Sequence, residues 1–361
     1  MQNLCKYLVA NGDEVRVLTY QPLVTKAKAL PIERTKNFEI RRLQWPGFLL
    51  FIKLERSSFL ELLYLTPALL MYSTCFMMAH AREVDVIHAH GLNAALITKF
   101  LGKIFKKRTV VSTHANYGLG RRRLMAVVVN WVMSSTNAIL SLPDESKQDL
   151  LSSGIPEWKI RTYNHWVDQQ SFHPRDRTLC RTQLGITAKF VVLFVGRFIE
   201  RKGVRVLLDA ANSVTSHDII FVFVGDGPLE DELRRVASRR SSIVVLTNIP
   251  ERKLVMCYNA ADVFIIPSLY DEPYGRVVLE SLSCGTPVIA SRKGNLPQIV
   301  PDSVGFLVEP EAKTIADRII ELSRNPQKLP LRETCRRFAE DRFGLKNAQA
   351  LVDTYDEVFL R

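Results

Sequence analysis

Cysteine is scarce in this chain, and the few cysteines are scattered. Among 361 residues there are six, and no two of them form a Cys-x-x-Cys pair, so neither a zinc site nor a disulfide framework is predicted. A reducing cytoplasm fits this usage. The first residues also lack the pattern of a signal peptide, so we expect the chain to remain inside the cell. The cysteines are Cys5, Cys75, Cys180, Cys257, Cys284 and Cys335.

Internal repeats and low-complexity segments are also absent, and strands alternate with helical patterns along the sequence. The 361 residues exceed a typical single core of roughly 100 to 200 residues, so two domains are expected. The alternation predicts an α/β protein with two Rossmann-like, doubly wound parallel sheets. We predict a first domain at 1–172, a second at 173–340, and a final helix at 341–361 that packs back on the first domain.

Acidic residues are outnumbered, which gives the chain a formal net charge of +12. Basic clusters occur at 41–42, 106–108 and 121–123, all in the amino-terminal half. Such clusters are either solvated or attract an anionic acceptor or anionic lipid headgroups, the latter by about 1 kcal/mol per basic residue. No nucleic-acid motif accompanies the charge, so nucleic acid is not an expected partner.

One long apolar segment, residues 62–79, carries no charge over 18 residues. Its length permits a transmembrane helix. Because Tyr64, Pro67 and Tyr72 make it a poor one, we predict a buried or partly interfacial helix, with a membrane span as the less favoured alternative.

The segment 260–288 is the most informative for function. An apolar strand at 260–268 precedes a Pro-Tyr-Gly turn and a helix that Gly285 ends. The helix N-terminus, near Gly275, favours a phosphate. Glu272 and Glu280 lie on either side of it and can accept hydrogen bonds from two sets of hydroxyls, as a nucleoside diphosphate sugar presents them. The alternative is that Glu272 caps the helix and Glu280 is solvated.

A second segment, 191–203, has a similar design. An apolar strand ends at Gly196, and a short loop then carries Arg197 and Lys202 before the next helix. Arg binds phosphate oxygens bidentately and Lys acts as a point charge, so the two suit a diphosphate. A solvated basic loop is the alternative, and the acidic segment favours the diphosphate site.

Together the motifs FVGRFIERKG, VGDGPLEDEL and DEPYGRVVLESLSCGTPVIAS resemble those of the retaining glycosyltransferases of family 4, also called glycosyl transferases group 1, which have the GT-B fold. The resemblance covers most of the chain. It implies that Glu272 contacts hydroxyls of the transferred sugar, that Glu280 binds the ribose, and that Arg197 and Lys202 neutralise the diphosphate leaving group. The donor-binding residues it implies are Gly196, Arg197, Lys202, Gly225, Glu272, Pro273, Tyr274, Gly275, Arg276 and Glu280.

Metal ions and other cofactors are not expected. The sequence has no Asp-x-Asp motif, which disfavours a diphosphate bridged by Mg²⁺ or Mn²⁺. The family resemblance likewise implies a site in which two cations take the place of a metal.

The amino-terminal half has two strand-like segments, 84–91 and 108–116, each with histidine near its end. Thr113-His114-Ala115 resembles the Thr-x-His of the family, which makes His114 the predicted catalytic histidine. For His88 and His90 a structural role at a strand end is favoured.

The main departure of the sequence from the family pattern is at its start. Residues 1–20 predict a helix, an Asn-Gly turn and a strand, whereas family members begin with an earlier strand and a Gly-rich loop. We therefore expect the first strand of the amino-terminal domain to be missing and its neighbours to have an unpaired edge. Asn248 also stands where the family usually has glycine.

The predicted function is retaining transfer of a hexose-type sugar from a nucleotide diphosphate sugar to an acceptor hydroxyl. The acceptor is a glycan, a lipid-linked molecule or a small molecule, and the location is cytoplasmic, with a peripheral membrane position as an option. Two alternatives remain: a nucleotide-sugar epimerase of GT-B fold, and a non-catalytic sugar-nucleotide-binding protein at the membrane surface.

Overall fold

The computed structural model describes residues 2–23, 29–45, 58–113, 119, 123–142, 145–272 and 275–360. The chain divides into two compact units, the first made of 1–165 and 346–361, the second of 166–345. The second unit therefore begins before the predicted boundary at 172/173. The reason is local packing, since the Val167 amide donates to the Phe343 carbonyl at 3.2 Å and Phe172 is buried against Tyr258, with ring centroids 6.1 Å apart.

The strands of the first unit form two sheets. The order in one is β1-β3-β2, in which β3 is parallel to β1 and antiparallel to β2. The other is β4-β5-β6-β7, all parallel. The strands in the described part of this unit are β1 (Val15–Tyr20), β2 (Ile32–Arg34), β3 (Phe38–Leu43), β4 (Val86–His90), β5 (Arg108–Ser112), β6 (Ala138–Ser141) and β7 (Ile160–Thr162).

The arrangement of this unit differs from the single doubly wound parallel sheet that was predicted. One strand is antiparallel, and β1 and β4 are edge strands of separate sheets, so each has an unpaired edge as far as the described residues show. Both strands are only partly buried. They are nevertheless close, because Leu18 of β1 and Ile87 of β4 pack in one apolar cluster around Phe76 and Met77. Among the described strands, β1 and β4 thus each have an unpaired edge.

The helices of the first unit pack on these sheets. The predicted apolar segment lies within the 23-residue helix α2, which packs against α3. Within the described part of the chain, α2 contains the single stretch long and apolar enough to cross a membrane, and 33% of that stretch is buried in the protein. The first five helices are α1 (Gln2–Ala10), α2 (Ser58–His80), α3 (Leu92–Phe105), α4 (Arg123–Met133) and α5 (Glu145–Ser152).

The second unit is a doubly wound α/β domain around one parallel sheet of order β10-β9-β8-β11-β12-β13. Its strands are β8 (Phe190–Val195), β9 (Ile219–Val224), β10 (Ile243–Leu246), β11 (Val263–Ile266), β12 (Val288–Ser291) and β13 (Gly305–Val308). The helices are α6 (Arg177–Leu184), α7 (Val204–Ser213), α8 (Glu230–Ala237), α9 (Glu251–Ala260), α10 (Arg276–Ser283), α11 (Leu296–Ile299), α12 (Ala312–Arg324) and α13 (Arg332–Phe343).

The last helix, α14 (Lys346–Leu360), belongs to the first unit. Its Tyr355 hydroxyl shares a hydrogen bond of 2.6 Å with Nδ1 of His88, and Nε2 of His88 lies 2.8 Å from the Ser112 hydroxyl. Arg161 and Glu357 add an ion pair at 2.8 Å. His88 therefore links β4, β5 and α14, as its favoured structural role predicts.

Gly203 provides a test of how tightly the second unit is assembled. Its φ is +72°, and a Cβ there would lie 1.9 Å from the Pro267 carbonyl oxygen. We predict that Gly203→Ala destabilises the protein strongly, because it adds this collision to the left-handed backbone penalty of roughly 1–2 kcal/mol. The matched control is Gly185→Ala, with φ +70° and no atom within 4 Å of the added Cβ, which incurs only the backbone penalty. Urea unfolding monitored by far-UV circular dichroism compares the two. Equal losses of stability would contradict the prediction.

Candidate functional site

The site lies where the winding direction of the second sheet reverses. The chain proceeds outward from β8 through β9 to β10 on one side, and from β11 through β12 to β13 on the other. Loops that leave the carboxyl ends of β8 and β11 therefore diverge and leave a crevice at the sheet edge, the usual ligand position in such folds. The basic segment follows β8 and the acidic segment follows β11, so both predicted motifs meet at this one place.

The loop after β8 is held close to the next strand. Gly196 donates its amide hydrogen to the Val224 carbonyl, and a Cβ on Gly225 would lie 1.9 Å from the Gly196 carbonyl oxygen. Phe198, fully buried, donates its amide hydrogen to the carbonyl of Asp226 at 2.6 Å. The backbone approach explains why glycine occupies position 225, and it fixes the start of the loop that carries Arg197 and Lys202.

Lys202, on the loop after β8, forms an ion pair with Glu272, on the loop after β11. The ammonium donates to both carboxylate oxygens, at 2.9 and 2.8 Å. The Ser268 hydroxyl donates to Oε2 of Glu272 at 2.9 Å, and the Glu272 backbone carbonyl accepts from the Asn295 amide at 2.9 Å. Glu272 is only 5% exposed. Its carboxylate is therefore desolvated, oriented and charge-balanced by a lysine rather than used as a helix cap.

Arg197 belongs to the same charged environment. It lowers the pKa of Asp226, which burial raises overall, and it acts in the same direction on the phenol of Tyr270. Burial and the Glu272 carboxylate together raise the pKa of Tyr270 well above its ordinary value. The Tyr270 ring also lies 5.2 Å from the Lys202 ammonium. Arg197, Lys202, Tyr270 and Glu272 thus influence one another within one crevice.

Glu280 lies on α10 and is buried, with 6% exposure, which excludes the solvated alternative. Its Oε2 accepts a hydrogen bond from the Tyr258 hydroxyl at 3.0 Å, and its Oε1 pairs with Arg276 Nε at 3.1 Å. Desolvation raises the pKa of Glu280, although Arg276 and Tyr258 act against it. Gly275, with φ +61°, precedes the helix as its N-cap. An ionised Glu280 can accept hydrogen bonds from hydroxyls, but its burial makes the ionised form less favourable than it is in water.

Three of the predicted site residues have no described structure. Pro273 and Tyr274 lie outside the described residues, and so does His114. Asn248 is described, and its φ of 51° explains why a glycine would also suit that position.

Several residues of the site gave no usable signal in the sequence. Asn295 acts through a backbone contact with Glu272, which is distant in the chain, and Tyr258 projects from α9, whose sequence resembles any half-buried helix. Ser268 and Tyr270 lie beside the recognised acidic motif, four and two residues before Glu272, but no pattern in the sequence assigned them a role.

No cluster of three or more His, Cys, Asp or Glu side chains suited to a metal ion occurs among the residues that the structure describes. The groups present at the crevice are cations, hydroxyls and paired carboxylates. Metal independence itself stays a prediction.

Comparison with known families decides the class of the protein. The model for glycosyl transferases group 1 matches residues 176–342, and the model for glycosyltransferase family 4 matches residues 1–171. The chain belongs to the group 1 glycosyltransferases. The glycosyltransferase motifs identified in the sequence are those that the structure places at the switch point of the second unit.

Individual relatives of this glycosyltransferase agree with the family. A D-inositol 3-phosphate glycosyltransferase from Saccharomonospora viridis is 33% identical over 216 residues, which are 55% of this chain and 50% of that protein. In three curated relatives the match spans between 33% and 59% of the relative's length.

Solved structures show the same fold. A sucrose-phosphate synthase from Thermosynechococcus elongatus superposes with a TM-score of 0.76 at 22% identity, covering 99% of this chain and 92% of that one. HepE from Anabaena, solved in complex with UDP-glucose, superposes with a TM-score of 0.69 at 20% identity, covering 88% and 86%. The two-domain α/β architecture of this glycosyltransferase is therefore the GT-B fold.

The burial of Glu280 predicts a pH-dependent cost in stability. An acid whose pKa is higher in the folded state binds more protons when folded, so stability falls as pH rises from the unfolded value of about 4.3 through the folded value. Glu280→Gln removes that loss. We expect the variant to gain thermal stability over the wild type as pH rises through this window, and to gain none below it. The control Glu309→Gln, whose side chain is 57% exposed, should show no such trend. A pH-independent difference for Glu280→Gln would refute this account.

Proposed function

We propose that this glycosyltransferase moves a hexose-type sugar from a nucleoside diphosphate sugar to an acceptor hydroxyl, with retention at the anomeric carbon and without a metal ion. The observation that carries the proposal is the buried Lys202–Glu272 ion pair, bonded at 2.8 and 2.9 Å at the switch point of the second sheet. It supplies one cation for the diphosphate and one oriented carboxylate for the sugar at adjoining positions.

The ion pair fits a donor site because its two charges have separate uses when the donor binds. Lys202 can turn toward the diphosphate, where an additional negative charge develops as the sugar leaves, and Arg197 adds a second cation. Glu272 then accepts hydrogen bonds from sugar hydroxyls in place of the ammonium. Ser268 keeps the carboxylate oriented during this exchange.

We propose the following transfer step. The bond between the anomeric carbon and the diphosphate oxygen breaks, and its electron pair stays on the diphosphate. The acceptor oxygen bonds to the anomeric carbon from the same face, and its proton passes to the departing diphosphate. Arg197 and Lys202 stabilise the leaving group, and Glu272 orients the sugar. A role for His114 on the sugar rests on the family resemblance of Thr113-His114-Ala115 alone.

The proteins similar to this chain suggest which donor to test first. HepE has been solved with UDP-glucose, and a relative in sequence is a D-inositol 3-phosphate glycosyltransferase. UDP-glucose is therefore the first donor to test. We propose that Glu280, whose Oε1 pairs with Arg276, binds the ribose of such a donor, as the family resemblance implies.

We further propose a cytoplasmic location, with peripheral attachment to a membrane, and a glycan or lipid-linked acceptor. The support for this part is the excess of positive charge in the amino-terminal half, together with the partly exposed apolar helix α2.

Substitution of the two cations tests the transfer. We expect Arg197→Ala and Lys202→Met each to lower the rate of UDP release from UDP-glucose by about 10²- to 10³-fold, because each removes a charge from the leaving-group site. The matched control is Lys189→Ala, which removes an exposed cation at the opposite end of β8 and should leave the rate unchanged.

The same reaction separates the alternatives. Formation of a glycoside supports transfer, whereas release of an epimerised sugar nucleotide without a glycoside would identify an epimerase. Wild-type rates in both cation variants would overturn the proposed role of this site.

A further inference from the structure

The solvent-facing side of α4 is apolar. Leu124, Val127, Val128 and Trp131 are exposed by 81%, 65%, 38% and 52%. Their spacing of three, four and seven residues places them on one face of the helix. The opposite face is also apolar and packs in the core of the first unit through Val129, Val132 and Met133. A helix that is apolar on its exposed face lacks the polar side chains that a solvated surface helix normally has.

Helix α3 extends this surface. Phe100 lies edge-on to Trp131, with ring centroids 6.5 Å apart, and Ile104, one turn further along α3, is 63% exposed. Lys99 holds the two helices together, because its ammonium lies 3.9 Å above the Trp131 ring and donates to the Trp131 carbonyl. We call this surface the α3–α4 face and define it by Phe100, Ile104, Leu124, Val127, Val128 and Trp131.

The charge around the α3–α4 face has one sign. Between Asp85 and Asp144 the sequence contains no Asp or Glu, whereas it contains eight basic residues. Lys103 and Arg123 are exposed, on the same two helices as the apolar side chains. The basic residues of this segment are Lys99, Lys103, Lys106, Lys107, Arg108, Arg121, Arg122 and Arg123. A partner that carries negative charge is therefore favoured over a neutral or basic one.

We propose that the α3–α4 face docks the protein on the surface of an anionic lipid bilayer. The apolar side chains enter the boundary between headgroups and acyl chains, and the lysines and arginines contact the anionic headgroups. With 11 residues, α4 is about 16 Å long, which is too short to span a bilayer and suits a helix lying in the interface. A nucleic acid would use the positive charge but leave the aliphatic side chains without a role.

Docking through this surface would place the proposed transfer reaction at a membrane. The inference rests on the proposed function only in assuming that the acceptor is lipid-linked. The apolar and charged observations concern the first unit alone. Donor binding, by contrast, depends on residues of the second unit. The two claims can therefore fail separately.

Vesicle cosedimentation tests the apolar part. We expect the wild-type chain to bind mixed vesicles that contain phosphatidylcholine and phosphatidylglycerol in a one-to-one ratio. Val127→Ser combined with Trp131→Ser should weaken binding about tenfold or more, because two inserted side chains are lost. The matched control is Leu179→Ser with Leu331→Ser, two exposed leucines of the second unit at 57% and 73% exposure, which should bind as the wild type does. Circular dichroism of each variant checks that it is folded.

A charge-reversal variant tests the electrostatic part independently. Lys103→Glu with Arg123→Glu should reduce binding to the anionic vesicles by about fivefold or more per residue, and added salt should have a similar effect.

Three results would overturn the proposal: unchanged vesicle binding in both variants, a dimer in vesicle-free solution that Val127→Ser with Trp131→Ser abolishes, or preferential binding to single-stranded RNA. The UDP-induced thermal shift of the same samples reports on the donor site separately. If the wild-type protein binds vesicles but UDP does not raise its melting temperature, the proposed function is rejected and the docking surface is not.

Discussion

The Lys202–Glu272 ion pair is the interaction on which the candidate site depends. It joins loops that follow β8 and β11, which are 70 residues apart in sequence and become neighbours only because the sheet reverses direction between them. Glu272 is nearly inaccessible to water, so removing Lys202 would leave its buried carboxylate without the cation that balances its charge, a change that typically costs about 3–5 kcal/mol. A donor that offers phosphates to the lysine and hydroxyls to the glutamate replaces both partners at once.

Glu280 shows the cost of building such a site. Burial raises the pKa of its carboxyl, and Tyr258 and Arg276 only partly compensate. An amide side chain at this position would avoid the cost of ionising a buried carboxyl, which is the usual conflict between stability and binding. The backbone contributes in a different way, since the close approach between Gly225 and Gly196 places the cationic loop without using any side chain.

Local patterns in the sequence were sufficient for much of the fold and for part of the site. The apolar runs before Gly196 and before Glu272 predicted β8 and β11, since buried parallel strands have that composition. Long-range consequences were not predictable. The partnership of Glu280 with Tyr258 depends on how α9 packs, and the start of the second unit at residue 166 depends on backbone contacts with α13, neither of which leaves a periodic signal.

The most direct test of the account is calorimetric titration of Glu272→Gln with UDP and with UDP-glucose. If Glu272 binds the sugar and Lys202 the diphosphate, the variant should bind UDP-glucose about tenfold or more weakly, because a charged hydrogen-bond acceptor for the hydroxyls is lost, while its affinity for UDP should change little. Equal weakening of both ligands, or no weakening of either, would contradict the assignment of the carboxylate to the sugar.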